Sequence, residues 1–364
     1  MPPPLRVMEV VQSLEKGGRT TRFYDTILGL KEQDIFVFPL CFSKPTKCIK
    51  SIELHTIEKK HGINWRIIFQ IIKIIKDNKI NLIHAHCEFS QLYVSIAGFT
   101  CGVETVATFH RSDLSKYEPN IVNKLIKLFV SQFVAVSHDR LSLLTSNLKL
   151  PKTKCHVVHG GSAIEKKPTS DSINATRIEL NIPINQLVLM SIGHLGHIKG
   201  HQDTLVALSH IQQTNKNIHL YIAGEGTTEE IKRLYELVKK LKIGEKVTFL
   251  GQIDNVPKWL EACDIFVQPS IEEAFGLVFA EAGAKAKPVI ATIVGGIKEI
   301  VISEKTGLLV PPASPKALQA ALEILIRSPT LRTLYGNNGY KRIAENFSLA
   351  DMVHKYIDIF TQAK

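Results

Sequence analysis

Residues 264–281 combine the residue types and the spacing best suited to binding an anion. An apolar run rich in Ile, Phe and Val predicts a buried strand, and after a polar turn the apolar residues recur at helical spacing. Gly276, at the start of this helix, lets the main chain approach a ligand closely. The N–H groups of Gly276, Leu277 and Val278 are expected to be unpaired there and, with the helix dipole, predict a phosphate site.

Two glutamates, Glu273 and Glu281, lie beside this predicted anion site. The first precedes the helix, and the second lies about two turns into it. A carboxylate accepts hydrogen bonds but donates none, so both glutamates suit the hydroxyl groups of a sugar or a ribose better than a phosphate. On these residues alone, an ordinary strand-to-helix junction with two solvated glutamates is an equal alternative.

Two further stretches end a predicted strand in a loop that contains glycine. Residues 187–193 predict a strand followed by a loop with His194 and Lys199, and a helix begins after that loop. Residues 218–223 predict another strand, which leads directly into Gly224.

The first predicted strand, at residues 5–11, leads into a loop that contains Gly17 and Gly18. A glycine pair between a first strand and the next helix favours close approach by a phosphate or a sugar. The spacing is not G-x-G-x-x-G, so a nicotinamide dinucleotide is not indicated.

Three histidines lie at the ends of predicted strands in the same half of the chain. His84 and His86 end the strand at residues 80–86, and His110 follows the strand at residues 103–109. Zinc needs three or four ligands in a fixed geometry, and no acidic or cysteine partner lies at ligand spacing, so no metal site is predicted. A histidine at the carboxyl end of a parallel strand lies where ligands bind, although a structural histidine is the alternative for His110.

The length and composition of the chain fit two domains. A chain of 364 residues with 45% hydrophobic content can form two cores. Strands alternate with helices in both halves, which predicts two parallel, doubly wound α/β sheets facing across a cleft. Residues 165–172 show no apolar period, so the boundary between the domains is predicted there.

Positive charge is concentrated in the first part of the chain. The net charge is +11, and residues 1–166 contain 23 Lys and Arg against 14 Asp and Glu. This excess suits an anionic membrane face or a phosphorylated lipid acceptor, whereas nucleic acid is disfavoured because no recognition motif accompanies the charge. A solvated helix face is the alternative. The candidate positions are Lys59, Lys60, Arg66, Lys73, Lys76 and Lys79.

The expected location is the cytoplasm. No apolar stretch approaches the roughly 20 residues of a membrane span, and the first residues lack the apolar region of a signal peptide. The six cysteines show neither a C-x-x-C pair nor a zinc spacing, which is typical of reduced thiols. Peripheral attachment to the inner face of the cytoplasmic membrane is an option because of the basic first half.

Taken together, the loops after residues 187–193 and 218–223 and the segment at 264–281 resemble the nucleotide-sugar-dependent glycosyltransferases of family 4, retaining enzymes of the GT-B fold. That family has an arginine and then a Lys-Gly pair in the first loop and a Gly-acidic-Gly turn in the second. It also has two glutamates separated by seven residues, as residues 264–281 have here. The similarity covers most of residues 187–312.

The resemblance implies two Rossmann-like domains that face a cleft. Residues 1–166 would form an acceptor-binding domain, and residues 167–345 a nucleotide-sugar-binding domain. Residues 346–364 would form a helix that crosses back to the first domain.

The resemblance also implies roles for individual residues. Glu273 would hold the donor sugar, Glu281 the ribose and Ile253 the nucleobase, while His110 would lie near the anomeric carbon. The implied catalytic residues are His110 and Glu273, and the implied donor-binding residues are Gly17, Gly18, His194, Lys199, Gly224, Ile253, Phe275, Gly276, Leu277, Val278 and Glu281. No metal or other cofactor is expected.

One position departs from the family pattern, because His194 stands where the family has arginine. Arginine is a permanently charged, bidentate clamp for phosphate, whereas histidine is only partly charged near neutral pH. The departure weakens the case for efficient transfer and leaves room for an unusual donor.

The implied activity is retaining transfer of a sugar, for preference a hexose, from a nucleotide diphosphate sugar. The acceptor would be a hydroxyl of a surface glycan or of a lipid-linked saccharide such as lipopolysaccharide. Two alternatives are open. A sugar-nucleotide epimerase of related fold would consume donor without an acceptor, and a catalytically weak partner subunit of a glycan assembly complex would bind no nucleotide sugar.

Overall fold

The chain folds into two compact units. Unit 1 comprises Met1–Gly161 and Leu349–Lys364, and unit 2 comprises Ser162–Ser348. The expected domain boundaries, after residues 166 and 345, lie within a few residues of these divisions. The computed structural model describes residues 3–15, 17–43, 52–58, 64–86, 88–111, 113–118, 120–213 and 217–363.

Strands and helices largely alternate along the described chain. In chain order they are β1 (Arg6–Val11), α1 (Gly18–Glu32), β2 (Phe36–Cys41), β3 (His55–Thr56), α2 (Arg66–Asp77), β4 (Leu82–Ala85), α3 (Glu88–Cys101), β5 (Glu104–Phe109), α4 (Ile121–Phe129), β6 (Gln132–Ala135), α5 (His138–Ser146), β7 (Cys155–Val157), α6 (Ser170–Glu179), β8 (Leu187–Ile192), α7 (His201–Ile211), β9 (Ile218–Ala223), α8 (Thr228–Leu241), β10 (Val247–Gly251), α9 (Val256–Ala262), β11 (Ile265–Gln268), α10 (Leu277–Ala284), β12 (Val289–Thr292), α11 (Ile297–Ile300), β13 (Gly307–Val310), α12 (Pro315–Arg327), α13 (Pro329–Asn346) and α14 (Leu349–Gln362).

Unit 1 is built on a seven-stranded parallel sheet with the strand order β3-β2-β1-β4-β5-β6-β7. Strands β1, β2, β4 and β5 are buried along most of their length, because helices cover both faces of such a sheet. Helix α14 packs against α1, and Tyr356 and Phe360 share a core with Phe23 and Ile27. The last helix of the chain therefore belongs to the unit that contains the first strand.

Unit 2 is built on a six-stranded parallel sheet with the strand order β10-β9-β8-β11-β12-β13. Leu189 on β8 and Val267 on β11 are fully buried, and they share a core with Leu205 of α7 and Leu322 of α12. Because β10, β9, β8 and β11 are parallel neighbours, their carboxyl ends lie side by side at one edge of the sheet.

Both units are doubly wound parallel α/β sheets, which confirms the predicted fold class of each. Strand β3, of two residues, was not predicted because so short a segment has no measurable alternation. The predicted basic positions Lys59 and Lys60 lie outside the described residues. The four described cysteines, Cys41, Cys101, Cys155 and Cys263, are free thiols.

Candidate active site

The loop after β8 brings Lys199 into contact with Glu273 in unit 2. Lys199 ends a short 3-10 turn, and its Nζ donates to Glu273 Oε2 at 2.5 Å. The Lys199 side chain is 23% exposed, whereas Glu273 is 7% exposed in the loop after β11. Because β8 and β11 are adjacent strands, two residues 74 positions apart meet. The sequence predicted both residues for the donor site but did not predict that they form a pair.

Two buried polar side chains hold the main chain of this loop in place. Gln268 Nε2 donates to the carbonyl oxygen of Lys199 at 2.6 Å, and Ser191 Oγ donates to Gln268 Oε1 at 2.8 Å. Both residues are fully buried at the ends of β8 and β11. Neither residue was predicted from the sequence, although a glutamine that ends an apolar strand is a usable signal for a buried hydrogen bond.

Gly276 caps the amino end of α10 in a left-handed conformation, with φ of +89°. A Cβ atom at this position would lie 2.4 Å from the ring of Phe279 and 3.1 Å from Cγ of Glu273, so only glycine fits. The helix begins at Leu277, as predicted, and Val278 is half-buried in its first turn. The pair of Lys199 and Glu273 therefore lies beside a helix amino terminus.

The remaining predicted residues of unit 2 lie along the same edge of the sheet. Gly224 follows β9, and Ile253 follows β10 and is half-buried. Glu281 is half-buried within α10. Phe275 is buried, with its ring centre 5.9 Å from that of Phe347, so its side chain packs in the core. A contact of Phe275 with a donor would therefore involve its main chain.

In unit 1, the loop after β1 leads into α1, which begins at Gly18 with Gly17 as its amino-terminal cap. Arg19, in the first turn, donates from Nη2 to Ser13 Oγ at 3.0 Å. The predicted residue His110 lies with Arg19 in one cavity of about 140 Å³. The residues that line this cavity are Arg19, His86, Gln91, Thr108, Phe109, His110 and Arg111.

A histidine cluster lies beside this cavity and consists of the buried residues Glu9, His84 and His86 and the half-buried His110. Glu9 Oε1 lies 2.9 Å from His84 Nδ1, and Glu9 Oε2 lies 2.9 Å from His86 Nε2. His86 Nδ1 lies 2.9 Å from His110 Nε2. The prediction that His84 and His86 have no acidic partner was therefore wrong, because Glu9 comes from the adjacent strand β1 and not from a nearby position in the sequence.

Glu9, His84 and His86 have ligand atoms within 4.8 Å of one another, so their spacing would suit a metal ion. The same ligand atoms are also close enough to one another and to their neighbours to form hydrogen bonds. His84 Nε2 lies 2.8 Å from Thr108 Oγ1, and the other ring nitrogens of His84 and His86 face Glu9 or His110. Both ring nitrogens of His84 and of His86 thus have hydrogen-bond partners.

Two family models match the chain. Glycosyl transferases group 1 matches residues 172–342, and Glycosyltransferase Family 4 matches residues 16–166. The chain belongs to the group 1 glycosyltransferases of the GT-B fold. It is therefore an enzyme that transfers a sugar, which confirms the family and the enzyme class predicted from the sequence.

Several known proteins are similar to this glycosyltransferase. It is 23% identical over 327 residues to the uncharacterized glycosyltransferase MJ1607 of Methanocaldococcus jannaschii, covering 84% of this chain and 82% of that protein. It is 31% identical over 211 residues to the lipopolysaccharide core biosynthesis mannosyltransferase LpsB of Rhizobium meliloti, covering 56% of this chain and 58% of LpsB. The crystal structure of Anabaena Alr3699/HepE in complex with UDP and glucose matches with a TM-score of 0.85 at 19% identity, covering 98% of this chain and 100% of HepE. The structural match shows that the fold is shared.

His194 is the donor-loop residue in which this glycosyltransferase departs from the predicted family pattern. Its side chain is 61% exposed, its Nδ1 accepts from the N–H of Gly196 at 3.0 Å, and its Nε2 lies 3.7 Å from Glu230 Oε2. Hydrogen bonds from Thr227 lower the pKa of Glu230. The ring thus lies beside an ionised carboxylate.

Burial lowers the pKa values of four other histidines, three in unit 1 and one in unit 2. Burial lowers the pKa of His86 and of His201 to about 4, and lowers the pKa values of His84 and His110 well below the usual range. Burial raises the pKa of Glu9, and a hydrogen bond from His86 opposes that rise. The four histidine rings are therefore neutral near neutral pH.

Proposed function

We propose that this glycosyltransferase takes a sugar, for preference a hexose, from a nucleotide diphosphate sugar and transfers it with retention and without a metal ion. The proposed acceptor is a hydroxyl of a surface glycan or of a lipid-linked saccharide such as lipopolysaccharide. The observation that carries the proposal is the pair of Lys199 and Glu273 beside the glycine-capped start of α10. A cation, a helix amino terminus and a carboxylate in one place suit a diphosphate joined to a sugar.

Each group of the donor has a proposed partner in unit 2. Lys199 and the N–H groups at the start of α10 bind the diphosphate. Glu273, whose hydrogen bond with Lys199 holds it at the same place, accepts hydrogen bonds from sugar hydroxyls. Glu281 accepts from the ribose, and Ile253 packs against the base. His194 adds charge only when it is protonated.

The proposed reaction breaks the bond between the anomeric carbon and the diphosphate oxygen. The acceptor oxygen forms the new bond on the same face of the sugar, and the leaving diphosphate takes the acceptor proton. Lys199 and the start of α10 stabilise the negative charge that develops on the leaving group. In unit 1, the loop at Gly17 and Gly18 and the ring of His110 are the proposed contacts to the donor.

The named relatives support this proposal. HepE was solved in complex with UDP and glucose, which supports a nucleotide-linked sugar as donor. LpsB is a mannosyltransferase of lipopolysaccharide core biosynthesis, which supports a hexose and a surface saccharide acceptor.

Saturation-transfer NMR against UDP-, GDP-, ADP- and dTDP-sugars tests the donor proposal. We expect one nucleotide class to bind and the Glu281→Ala variant to lose at least about tenfold in affinity, because a charged hydrogen bond to the ribose is removed. The matched control is Glu236→Ala, which removes a 67% exposed glutamate of α8 in the same unit.

Three outcomes would contradict the donor proposal. If no nucleotide sugar binds, the result favours the alternative of a catalytically weak partner subunit of a glycan assembly complex. Consumption of donor without an acceptor, with a new sugar nucleotide formed, favours the epimerase. Equal affinity of the Glu281→Ala and Glu236→Ala variants removes Glu281 from the ribose site.

We also propose that unit 1 binds an anionic membrane surface. Phe69 and Lys73 lie one turn apart on α2, as do Lys124 and Leu128 on α4, and all four are exposed. Helix α3 packs against both of these helices. Apolar side chains next to lysines suit the boundary of an anionic bilayer. No helix within the described part of the chain has both the length and the apolar character needed to span a membrane.

Sedimentation with vesicles tests the membrane proposal. We expect binding to vesicles that contain anionic phospholipid, and a drop of roughly tenfold in partitioning for the double variant F69S/L128S, because two apolar side chains no longer enter the lipid. The control is Ile178→Ser, which alters a 67% exposed apolar residue on α6 of unit 2. Equal partitioning of all three proteins would favour a solvated helix face.

A further inference from the structure

The histidine cluster is part of a longer chain of hydrogen bonds through unit 1. On the far side of Glu9, His84 Nε2 lies 2.8 Å from Thr108 Oγ1, which lies 3.2 Å from Tyr356 Oη. Tyr356 accepts from Arg22 Nε at 3.0 Å. All five residues are buried. This chain of hydrogen bonds therefore has two arms that meet at a carboxylate.

The first arm has a fixed direction. Arginine only donates, so Tyr356 uses a lone pair for Arg22 and is free to donate its own hydrogen to Thr108. Thr108 can then donate to His84 Nε2, and His84 donates from Nδ1 to Glu9. An ionised carboxylate only accepts, so this arm ends at Glu9. Burial raises the pKa of Glu9, whereas the hydrogen bond from His86 favours its ionised form, and each of its two oxygens lies 2.9 Å from a histidine ring nitrogen.

The second arm has its direction fixed by the same carboxylate. His86 donates from Nε2 to Glu9, so its Nδ1 carries a lone pair and accepts from Nε2 of His110. A neutral imidazole has one proton, so His110 is left with an unprotonated Nδ1. Both His86 and His110 line the cavity described above.

We propose that Glu9 is a positioning residue for sugar transfer. Through His86, it holds His110 as the neutral tautomer with its proton on Nε2, and Nδ1 is kept as an acceptor for a substrate hydroxyl. This inference rests on the proposed role of His110 beside the transferred sugar. Burial, followed by the positive charges of Arg22 and Arg19, lowers the pKa of His110, so the ring keeps the lone pair that an acceptor needs.

A purely structural role does not account for Glu9. Its neighbours on the same face of β1, Val7 and Val11, are apolar and fully buried. A carboxylate buried among them loses its hydration, a free-energy cost that an apolar side chain would avoid. The charge is explained if it serves to order the protons of the two arms.

Replacement of Glu9 by glutamine is expected to reverse the second arm. The amide has one acceptor oxygen and one donor nitrogen, so one of the two flanking histidines must change from donor to acceptor. His84 is held by the arm that begins at Arg22, whereas His86 has only His110 beyond it. His86 is therefore expected to invert, and His110 to carry its proton on Nδ1.

Nitrogen NMR of the full chain labelled at histidine, without donor or acceptor, tests this directly because the ring nitrogen shifts distinguish the tautomers. A His110→Gln variant identifies the His110 signals. We expect protonation on Nε2 in the wild type and on Nδ1 in E9Q. In the control T108V, which alters the first arm with little change in volume, the His110 tautomer is expected to stay on Nε2.

Several results would overturn the proposal. These are a wild-type His110 protonated on Nδ1, an E9Q spectrum with His110 unchanged, or a tightly bound metal ion in the wild type that E9Q lacks. The wild-type spectrum requires no substitution at Glu9, so it decides the matter even if E9Q fails to fold. It also requires no sugar nucleotide, so its outcome is independent of the donor-binding experiment.

Kinetics supply the second readout. E9Q is expected to lower kcat by about 10- to 100-fold with little change in donor KM, because an inverted His110 would present a hydrogen where an acceptor is needed. If E9Q and T108V lost kcat equally and also lost thermal stability equally, the loss of activity would reflect general destabilisation of the hydrogen-bonded chain. That result would overturn the positioning role.

Discussion

Replacing Lys199 by methionine is expected to lower kcat/KM by roughly 100- to 1,000-fold, because the donor diphosphate loses its lysine partner as charge develops on the leaving group. Methionine keeps the length and the apolar stem of lysine, so the loop supported by Gln268 can keep its path. Steady-state kinetics with the donor identified by NMR give the measurement. The control is Lys316→Met, which removes an exposed lysine of α12 in the same unit.

The same substitution also leaves Glu273, which is 7% exposed, without its bond to Lys199. A loss of about 1–3 kcal/mol in the free energy of unfolding is expected from the weakly solvated carboxylate. The double variant K199M/E273Q should recover much of that stability and none of the activity. Recovery of activity in the double variant would mean that Lys199 only neutralises Glu273, and the diphosphate role would be lost.

Replacing Gly200 by alanine is expected to lower the free energy of unfolding of unit 2 by about 3 kcal/mol or more. The main chain of Gly200 has φ of +69°, and a Cβ atom would lie 2.0 Å from the carbonyl oxygen of Pro269. This contact is with main chain at the end of β11, so it cannot be relieved by rotation of a side chain. The loop would have to move, and Lys199 would move with it. Urea unfolding followed by a unit 2 fluorescence probe at Trp259 measures the change.

Alanine substitutions at two other glycines of unit 2 distinguish the two causes of this loss of stability, the main-chain conformation and the close contact. Gly251 has φ of +63° but nothing within 4 Å of an added Cβ, so alanine there should cost about 1–2 kcal/mol from the main-chain conformation alone. Gly244 has neither feature, and alanine there should be neutral or stabilising by about 0.5 kcal/mol. A G200A variant as stable as G251A would show that the close approach to Pro269 is absent in solution.

The sequence determined which segments form the sheets and which loops carry the chemistry. Apolar runs separated by helical patterns predict a doubly wound sheet in each half, because parallel strands covered on both faces must be apolar throughout. The start of α10 was equally predictable, since a glycine before a helical period marks a helix amino terminus approached by the main chain. Within unit 2, the candidate residues Lys199, Gly276 and Glu273 lie in loops that the sequence identified.

Only the tertiary structure decided which side chains meet. Lys199 contacts Glu273 because β8 and β11 are neighbours in the sheet, although β9 and β10 separate them in the sequence. The sequence did not indicate a role for Glu9 in the first strand. The register of β1 and β4 places it opposite His84. Local sequence patterns report on burial and on helical or extended conformation, which depend on near neighbours. Strand order and register depend on the packing of the whole unit. The contacts between strands, and with them the positions of the histidine protons, therefore follow from the folded structure.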